Sequence, residues 1–157
     1  MLTVIIYKCL KSGEKTQKNG IIEMRISKKT NNLNFTCDKI YNYISDINNY
    51  ELILGDEIKD FNIIDKEIFC IKIGGLPSIE LKLETNDNEK SIKLLSSNPK
   101  MIFHFSFLVK KIDETNSEIE IEFNGEFSSM MEMMIKNPIT KFTDEIATKI
   151  SQVNFNI

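Results

Sequence analysis

The sequence predicts an α+β domain in which an antiparallel sheet is covered on one side by a long C-terminal helix. Three observations support this prediction. Apolar and polar residues alternate through most of residues 58–128, as in strands with one buried face. Short turn sequences separate the alternating segments, which favours a meander. After residue 128 the period becomes that of a helix with an apolar stripe.

The composition fits one globular domain. A chain of 157 residues can form a hydrophobic core, and its 41% hydrophobic and 27% charged residues are ordinary values. The net charge is −3 and Arg25 is the single arginine, so a nucleic-acid surface is not expected. The three cysteines are widely spaced and form neither a disulfide framework nor a metal-ligand pair. We expect reduced thiols in a cytoplasmic protein.

Residues 1–20 are expected to form an N-terminal extension to a domain that spans residues 21–157. Leu2 to Leu10 is apolar enough for a strand, whereas Lys11 to Gly20 is polar and resembles a loop. Two interpretations stay open: a disordered leader, for which Met24 offers an alternative start, or an extra strand at the sheet edge. Neither a signal peptide nor stable membrane insertion is expected, because no apolar run is suited to either.

One strand and two short helices are predicted before the meander. Residues Ile22 to Ser27 alternate between apolar and polar side chains, which indicates a strand. Thr36 is placed to cap the first helix, and Ser45-Asp46 is placed to end that helix or to cap the next one. Ile47 to Leu54 is predicted to form the second helix, which Gly55-Asp56 ends.

Six further strands are predicted, over residues 58–64, 69–73, 79–84, 90–97, 101–109 and 118–127. The fifth of them is the most aromatic, with Phe103, Phe105 and Phe107 on one face and His104 on the other. The sixth has apolar residues on one face and a row of glutamates on the other. We interpret that row as a solvated surface rather than a carboxylate site.

The C-terminal helix has two parts of different character. Ser129 and Glu132 have the spacing of a capping box. Asn137-Pro138 allows either a second helix start or one long helix kinked at the proline. The later part carries an apolar stripe of Ile139, Phe142, Ile146, Ile150 and Val153. The earlier part carries methionines around most of its surface, which either fill the core or line a pocket with variable contents: Met130, Met131, Met133 and Met134.

Three stretches follow one another in an order found in a known superfamily. They are a helix–break–helix segment, a turn within the meander and the opening of the C-terminal helix, at Tyr43–Tyr50, Gly74-Gly75-Leu76 and Met130–Pro138. Their order resembles the helix-grip fold of the START-like, or SRPBCC, superfamily over about residues 22–153. Many members have a proline after the second short helix, where this chain has Leu54-Gly55-Asp56, so the local loop is expected to differ.

The resemblance implies a cavity between a curved sheet and the long helix, which in that superfamily often holds a lipid, quinone, polyketide or other apolar molecule. The superfamily includes carriers, cyclases, hydrolase-like enzymes and regulators, so the fold does not define the function. The apolar residues of the candidate ligand-binding wall are Leu81, Leu83, Phe103, Phe105, Phe107, Ile119, Ile121, Phe123, Met131, Met134 and Phe142.

No catalytic constellation emerges from the sequence. His104 is the single histidine and lies on the strand face opposite the phenylalanines, so a His-based catalytic pair or metal site is not expected. Cys70 alternates against apolar neighbours and is placed on the outer face. The glycines do not form a phosphate-binding loop. We therefore expect no catalytic residue, no metal and no cofactor.

The sequence thus favours a cytoplasmic protein that binds or carries an apolar or amphipathic small molecule, without catalysis. Two alternatives stay open. One is a cyclase- or dehydratase-type enzyme that uses the same cavity. The other is a protein-interaction module with a solid core, which would present its methionine-rich helix to a partner that the sequence does not identify.

Overall fold

The structure, a computed structural model, describes residues 16–18 and 20–156. Its strands are β1 (Thr16–Lys18), β2 (Ile21–Lys29), β3 (Ile58–Asp65), β4 (Ile68–Ile73), β5 (Ile79–Asn86), β6 (Ser91–Ser96), β7 (Ile102–Lys111) and β8 (Ser117–Ser128). Its helices are α1 (Cys37–Ile44), a 3-10 turn (Ile47–Asn49), α2 (Tyr50–Ile53) and α3 (Ser129–Gln152). The strand predicted for Leu2 to Leu10 lies outside the described residues.

The described strands form one antiparallel sheet in the order β1-β2-β8-β7-β6-β5-β4-β3. The meander runs from β3 to β8, and β2 pairs with β8 from Ile21–Ser128 to Lys29–Glu120. The predicted helix-grip α+β fold is confirmed, with two short helical segments after β2 and a long C-terminal helix. Within the predicted extension, residues 16–18 pair with β2 at the sheet edge.

The opposite edge of the described sheet is β3, and its backbone is irregular. The pairing of β3 with β4 shifts register between Lys59 and Asn62 and again between Ile63 and Asp65. Asp60 lies in the left-handed region with φ 55°. A non-glycine residue adopts this conformation at a cost, so the edge strand is bent rather than flat.

The predicted breaks around the short helices follow from side-chain caps. Thr36 Oγ1 accepts a hydrogen bond from Lys39 N at 3.4 Å, which caps α1. The Asp46 carboxylate accepts from Asn48 N at 2.9 Å and starts the 3-10 turn that leads into α2. The chain can then turn after α2 because Gly55 adopts φ +80°.

α3 is one continuous helix with Pro138 inside it. Its N-cap is Ser128, whose Oγ accepts from Met131 N at 3.3 Å, so the cap lies one residue before the predicted capping box. Ser128 takes this role because it is the last extended residue of β8. Proline supplies no N–H, but Ile135 and Ile139 on either side of it are buried, and this packing holds the helix together.

The core lies between the inner face of the sheet and the helices. α3 packs against β2 and β8, and α1 packs against β7. Along β7 and β8 the inward side chains are buried and the outward ones are half-buried or exposed. In the part of the chain that the structure describes, no helix combines the length and the apolar character needed to cross a bilayer.

Candidate ligand-binding interior

A cluster of phenylalanine rings joins α3 to the sheet. The Phe105 ring lies 5.0 Å from the Phe123 ring and 5.4 Å from the Phe142 ring, measured between centroids. Phe105 and Phe123 are register partners on β7 and β8, whereas Phe142 comes from α3. All three are buried, so the cluster forms an apolar contact between the two layers.

Gly125 allows this cluster to continue towards the end of β8. A Cβ atom at Gly125 would lie 2.5 Å from Phe127 Cε2 and 2.8 Å from Phe103 Cβ, closer than atoms can approach. The missing side chain lets the Phe127 ring fold back over the strand and lie parallel to the Phe123 ring, at 6.1 Å and an interplanar angle of 4°. The interior therefore depends on glycine at this position.

A second aromatic group lines the other half of the interior. The Tyr50 ring lies 5.6 Å from Phe69 and 6.3 Å from Phe107, and Phe61 lies 5.4 Å from Phe69. The Tyr50 hydroxyl donates to the carbonyl of Ile44 at 2.7 Å. Complete burial raises the pKa of Tyr50 far above its ordinary value, so this hydroxyl stays protonated and acts as a fixed donor.

The structure brings most of the predicted ligand-binding residues together on the inner surface. The buried ones are Leu81, Leu83, Phe103, Phe105, Phe107, Ile119, Ile121, Phe123 and Phe142. Met131 is partly buried and packs against the same core. Met134 is 60% exposed, because the helical period turns it about 100° away from its buried neighbour Ile135.

The methionines before Pro138 do not fill the core as a group. Met130, Met133 and Met134 are 60–77% exposed. Met133 and Met134 follow Met130 by three and four residues, so the three side chains share the outward side of the first two turns of α3. Of the four methionines, Met131 alone is in contact with the core cluster.

Several interior residues were not among the predicted set. Alternation along β4 and β6 could have indicated Ile71 and Leu94, which are buried beside the predicted wall. The stripe of α3 could have indicated Ile139 and Ile146. Tyr50 had no such signal, because a short helical segment reveals its buried side only when it packs on the sheet.

His104 lies on the outer face of the sheet, away from the interior. It is half-buried between its register partners Leu95 and Asn124. Burial lowers its pKa, and the Lys93 ammonium lowers it further, while Glu122 acts in the opposite direction. This face also carries a concavity of about 290 Å³, bordered by Glu23, Ile102, His104 and Glu126.

The glutamates of β8 form cross-strand ion pairs on the same outer face. Glu122 pairs with Arg25 at 2.6 Å, and Glu118 pairs with Lys29 at 3.6 Å. Glu120 pairs with Lys110, and this contact lowers the pKa of Glu120. These half-buried carboxylates therefore stabilise the pairing of neighbouring strands on the outer face.

The thiols within the described residues lie at half-buried positions. Cys70 alternates outward along β4, as predicted, and burial raises the pKa of its thiol. A raised pKa reduces the thiolate fraction and with it the reactivity of the group. Among residues 16–18 and 20–156, no group of three or more His, Cys, Asp or Glu side chains is placed to hold a metal ion.

Solved structures with this arrangement come from several organisms. Norcoclaurine synthase from Thalictrum flavum, in complex with dopamine and hydroxybenzaldehyde, aligns with a TM-score of 0.65 at 9% identity, over 92% of this chain and 98% of that one. A START superfamily protein from Mycobacterium smegmatis aligns at 0.63 with 12% identity, over 81% and 94%. Zhui aromatase/cyclase from Streptomyces sp. R1128 aligns at 0.61 with 8% identity, over 83% and 94%. No protein-family model and no curated protein sequence matches this chain.

The chain has the helix-grip fold of START-like proteins, and the predicted resemblance is confirmed at this level. Structures with this fold include synthases and cyclases as well as proteins described only by their superfamily. At sequence identities of 9–12% the first two alignments show a shared fold and leave the activity to the site itself.

Proposed function

We propose that this protein binds an apolar or amphipathic small molecule between the sheet and α3 and does not catalyse a reaction. The observation that carries the proposal is the lining. The inward side chains of β7, β8 and the second half of α3 are apolar or aromatic, apart from Ser117 and Thr143. A surface of this kind favours ligands that gain free energy by leaving water.

Two further observations support the proposal. One protein of similar fold, norcoclaurine synthase, is in complex with the small aromatic molecules dopamine and hydroxybenzaldehyde, and this supports a ligand site in the fold. The absence of catalysis is proposed because His104 and Cys70 lie on the outer face, where neither side chain faces a molecule held in the interior.

Binding is tested with the neutral fluorescent dye Nile red and two matched tryptophan variants of α3. Ile139 is buried on the inward side, whereas Met133 is 77% exposed on the outward side of the same helix. Ile139→Trp adds volume to the interior and is expected to weaken Nile red binding about tenfold, and Met133→Trp is expected to leave it unchanged. Circular dichroism spectra and melting temperatures establish that both variants are folded.

Native mass spectrometry of gently purified protein complements the titration, because a co-purified ligand adds a mass that is lost on denaturation. Wild-type protein that binds no Nile red would refute the proposal. Equal dye binding by wild type and folded Ile139→Trp would also refute it, because the dye would then bind elsewhere.

A further inference from the structure

We infer that the interior selects its ligand by charge and takes a neutral, hydrocarbon-rich molecule in preference to a fatty acid or another anion. This inference rests on the proposed function and adds the class of ligand. It follows from where the protein places its cations, its acids and its buried hydroxyl groups.

Among residues 20–156, the interior surface offers no positive charge. The buried polar or charged residues there are Thr30, Ser117, Glu132 and Thr143, and the charged one among them is an acid. No lysine, arginine or histidine among residues 20–156 is buried. A carboxylate head group that entered the interior would lose its hydration without gaining a cation from these residues. This loss makes a large unfavourable contribution to the free energy of binding.

Three lysines beside α3 are already paired with acids of the protein. Lys28 of β2 contacts Asp144 at 2.9 Å on one side of the helix. On the other side, Lys141 contacts Glu57 at 2.8 Å and Lys149 contacts Asp56 at 2.9 Å. An anionic head group that stayed near these three lysines would have to compete with the carboxylates that already contact them, so they add little binding energy for anions.

The remaining cations near the sheet point away from the interior. Arg25, the single arginine of the chain, contacts Glu122 at 2.6 Å on the outer face. Lys72 alternates with the inward residues Ile71 and Ile73, so it lies on that outer face as well. The guanidinium fork that proteins commonly use to bind carboxylates is therefore absent from the described inner surface.

Three buried hydroxyl groups are engaged by the protein backbone, and a fourth, that of Ser117, lies 3.3 Å from Cys37 Sγ. Thr143 Oγ1 donates to the carbonyl of Ile139 at 2.8 Å, and the Tyr50 hydroxyl donates to the carbonyl of Ile44 at 2.7 Å. Thr30 Oγ1 accepts from Ile119 N at 2.9 Å. A ligand rich in polar groups would leave hydrogen bonds unmade, so the lining favours a long or bulky hydrocarbon with a small neutral head.

The test compares three ligands that share one hydrocarbon chain: 1-decanol, methyl decanoate and decanoate. Displacement of Nile red from the full-length wild-type protein at about pH 8 gives their relative affinities, and native mass spectrometry confirms one ligand per chain. We expect both neutral ligands to bind at least about tenfold more tightly than decanoate. Acidification protonates decanoate, so its affinity is expected to rise towards that of methyl decanoate while the affinity of 1-decanol stays constant.

A charge variant gives an independent measurement. Thr143→Lys places a cation on the inward side of α3 and is expected to raise decanoate affinity several-fold relative to 1-decanol. Thr148→Lys, at an exposed position of the same helix, is the matched control and is expected to change neither. Should Thr143→Lys fail to fold, the wild-type comparison decides alone.

The outcomes separate the two proposals. Decanoate binding as tightly as methyl decanoate at pH 8 would overturn the charge selection and leave ligand binding intact. Failure of the protein to bind Nile red and all three ligands would overturn the proposed function itself.

Discussion

His104 shows how one half-buried position on the outer face makes stability depend on pH. Its ordinary pKa of 6.5 is lowered by burial and by Lys93, with Glu122 acting against them. The unfolded chain therefore binds a proton at a higher pH than the folded chain does. This contribution to stability is fully present above the unfolded value of 6.5 and is lost as the pH falls from there through the folded pKa.

His104→Gln is expected to remove this part of the pH dependence, because glutamine does not titrate. Melting temperatures recorded by circular dichroism between about pH 7 and about pH 5 should fall less steeply for the variant than for wild type. Wild-type and variant curves that stay parallel over this interval would show that His104 has the same pKa in the folded and unfolded chains.

At the scale of elements, α3 is fixed to the loop that joins α2 to β3. Asp56 N donates to Glu145 Oε1 at 2.9 Å, and Lys149 Nζ contacts Asp56 at 2.9 Å. A Cβ atom at Gly55 would lie 2.9 Å from Glu145 Cγ and 3.1 Å from Lys149 Cγ. The absence of a side chain at Gly55 therefore makes room for the helix.

Gly55→Ala is expected to lower the free energy of unfolding by about 2–3 kcal/mol, through its positive φ and its contact with α3. Gly20→Ala is the matched control, since Gly20 has φ +78° and a Cβ atom there would meet no other atom within 4 Å, so about 1–2 kcal/mol of backbone strain alone is expected. Urea unfolding measures both. Equal losses of stability in the two variants would mean that the side chains of α3 move aside for a Cβ atom at position 55 without a further loss of free energy.

Alternation predicted the strands and their buried faces, because the backbone of a strand sets a period of two. The same sequence left Pro138 open between a break and an interior position. The cost of a proline inside a helix, about 3 kcal/mol, competes with tertiary packing that no local pattern contains. In this chain the packing of the buried side chains Ile135 and Ile139 outweighs that cost, and the helix continues through Pro138. Similarly, four methionines in five residues do not reveal which side of the helix meets the sheet.

Across the whole molecule, the C-terminal tail ties the end of the chain back to α1. Phe155 is 3% exposed, and its ring lies 5.2 Å from both Phe35 and Tyr43. Lys39 Nζ contacts Asn156 Oδ1 at 2.7 Å beside it. These contacts join residues more than 100 positions apart in the sequence, so they constrain the fold as a unit.

Phe155→Ala is expected to cost about 3–5 kcal/mol, because it removes a buried ring that touches two others. Gln152→Ala, at an exposed position close to the tail, is expected to change stability by about 0.5 kcal/mol or less. Chemical denaturation with a fluorescence or circular dichroism readout compares the two. A loss below about 1 kcal/mol for Phe155→Ala would show that the tail is detached in solution.

The candidate interior was predictable in part. The aromatic face of β7 and the apolar face of β8 follow from alternation, and both lie on the inner surface. The group around Tyr50 and Phe69 forms only when α2 and β4 meet in three dimensions. The pairing of Lys28, Lys141 and Lys149 with acids arises in the same way, since each partner comes from a different element.

The left-handed Asp60 on β3 has a consequence for solubility. An open sheet edge is a template on which other chains can add strands, and such growth leads to fibrils. The bend at Asp60 and the neighbouring Lys59 interrupt the straight row of backbone groups that such growth requires. The described sheet edge formed by β3 is therefore a poorer template for strand addition than a straight, regular strand would be.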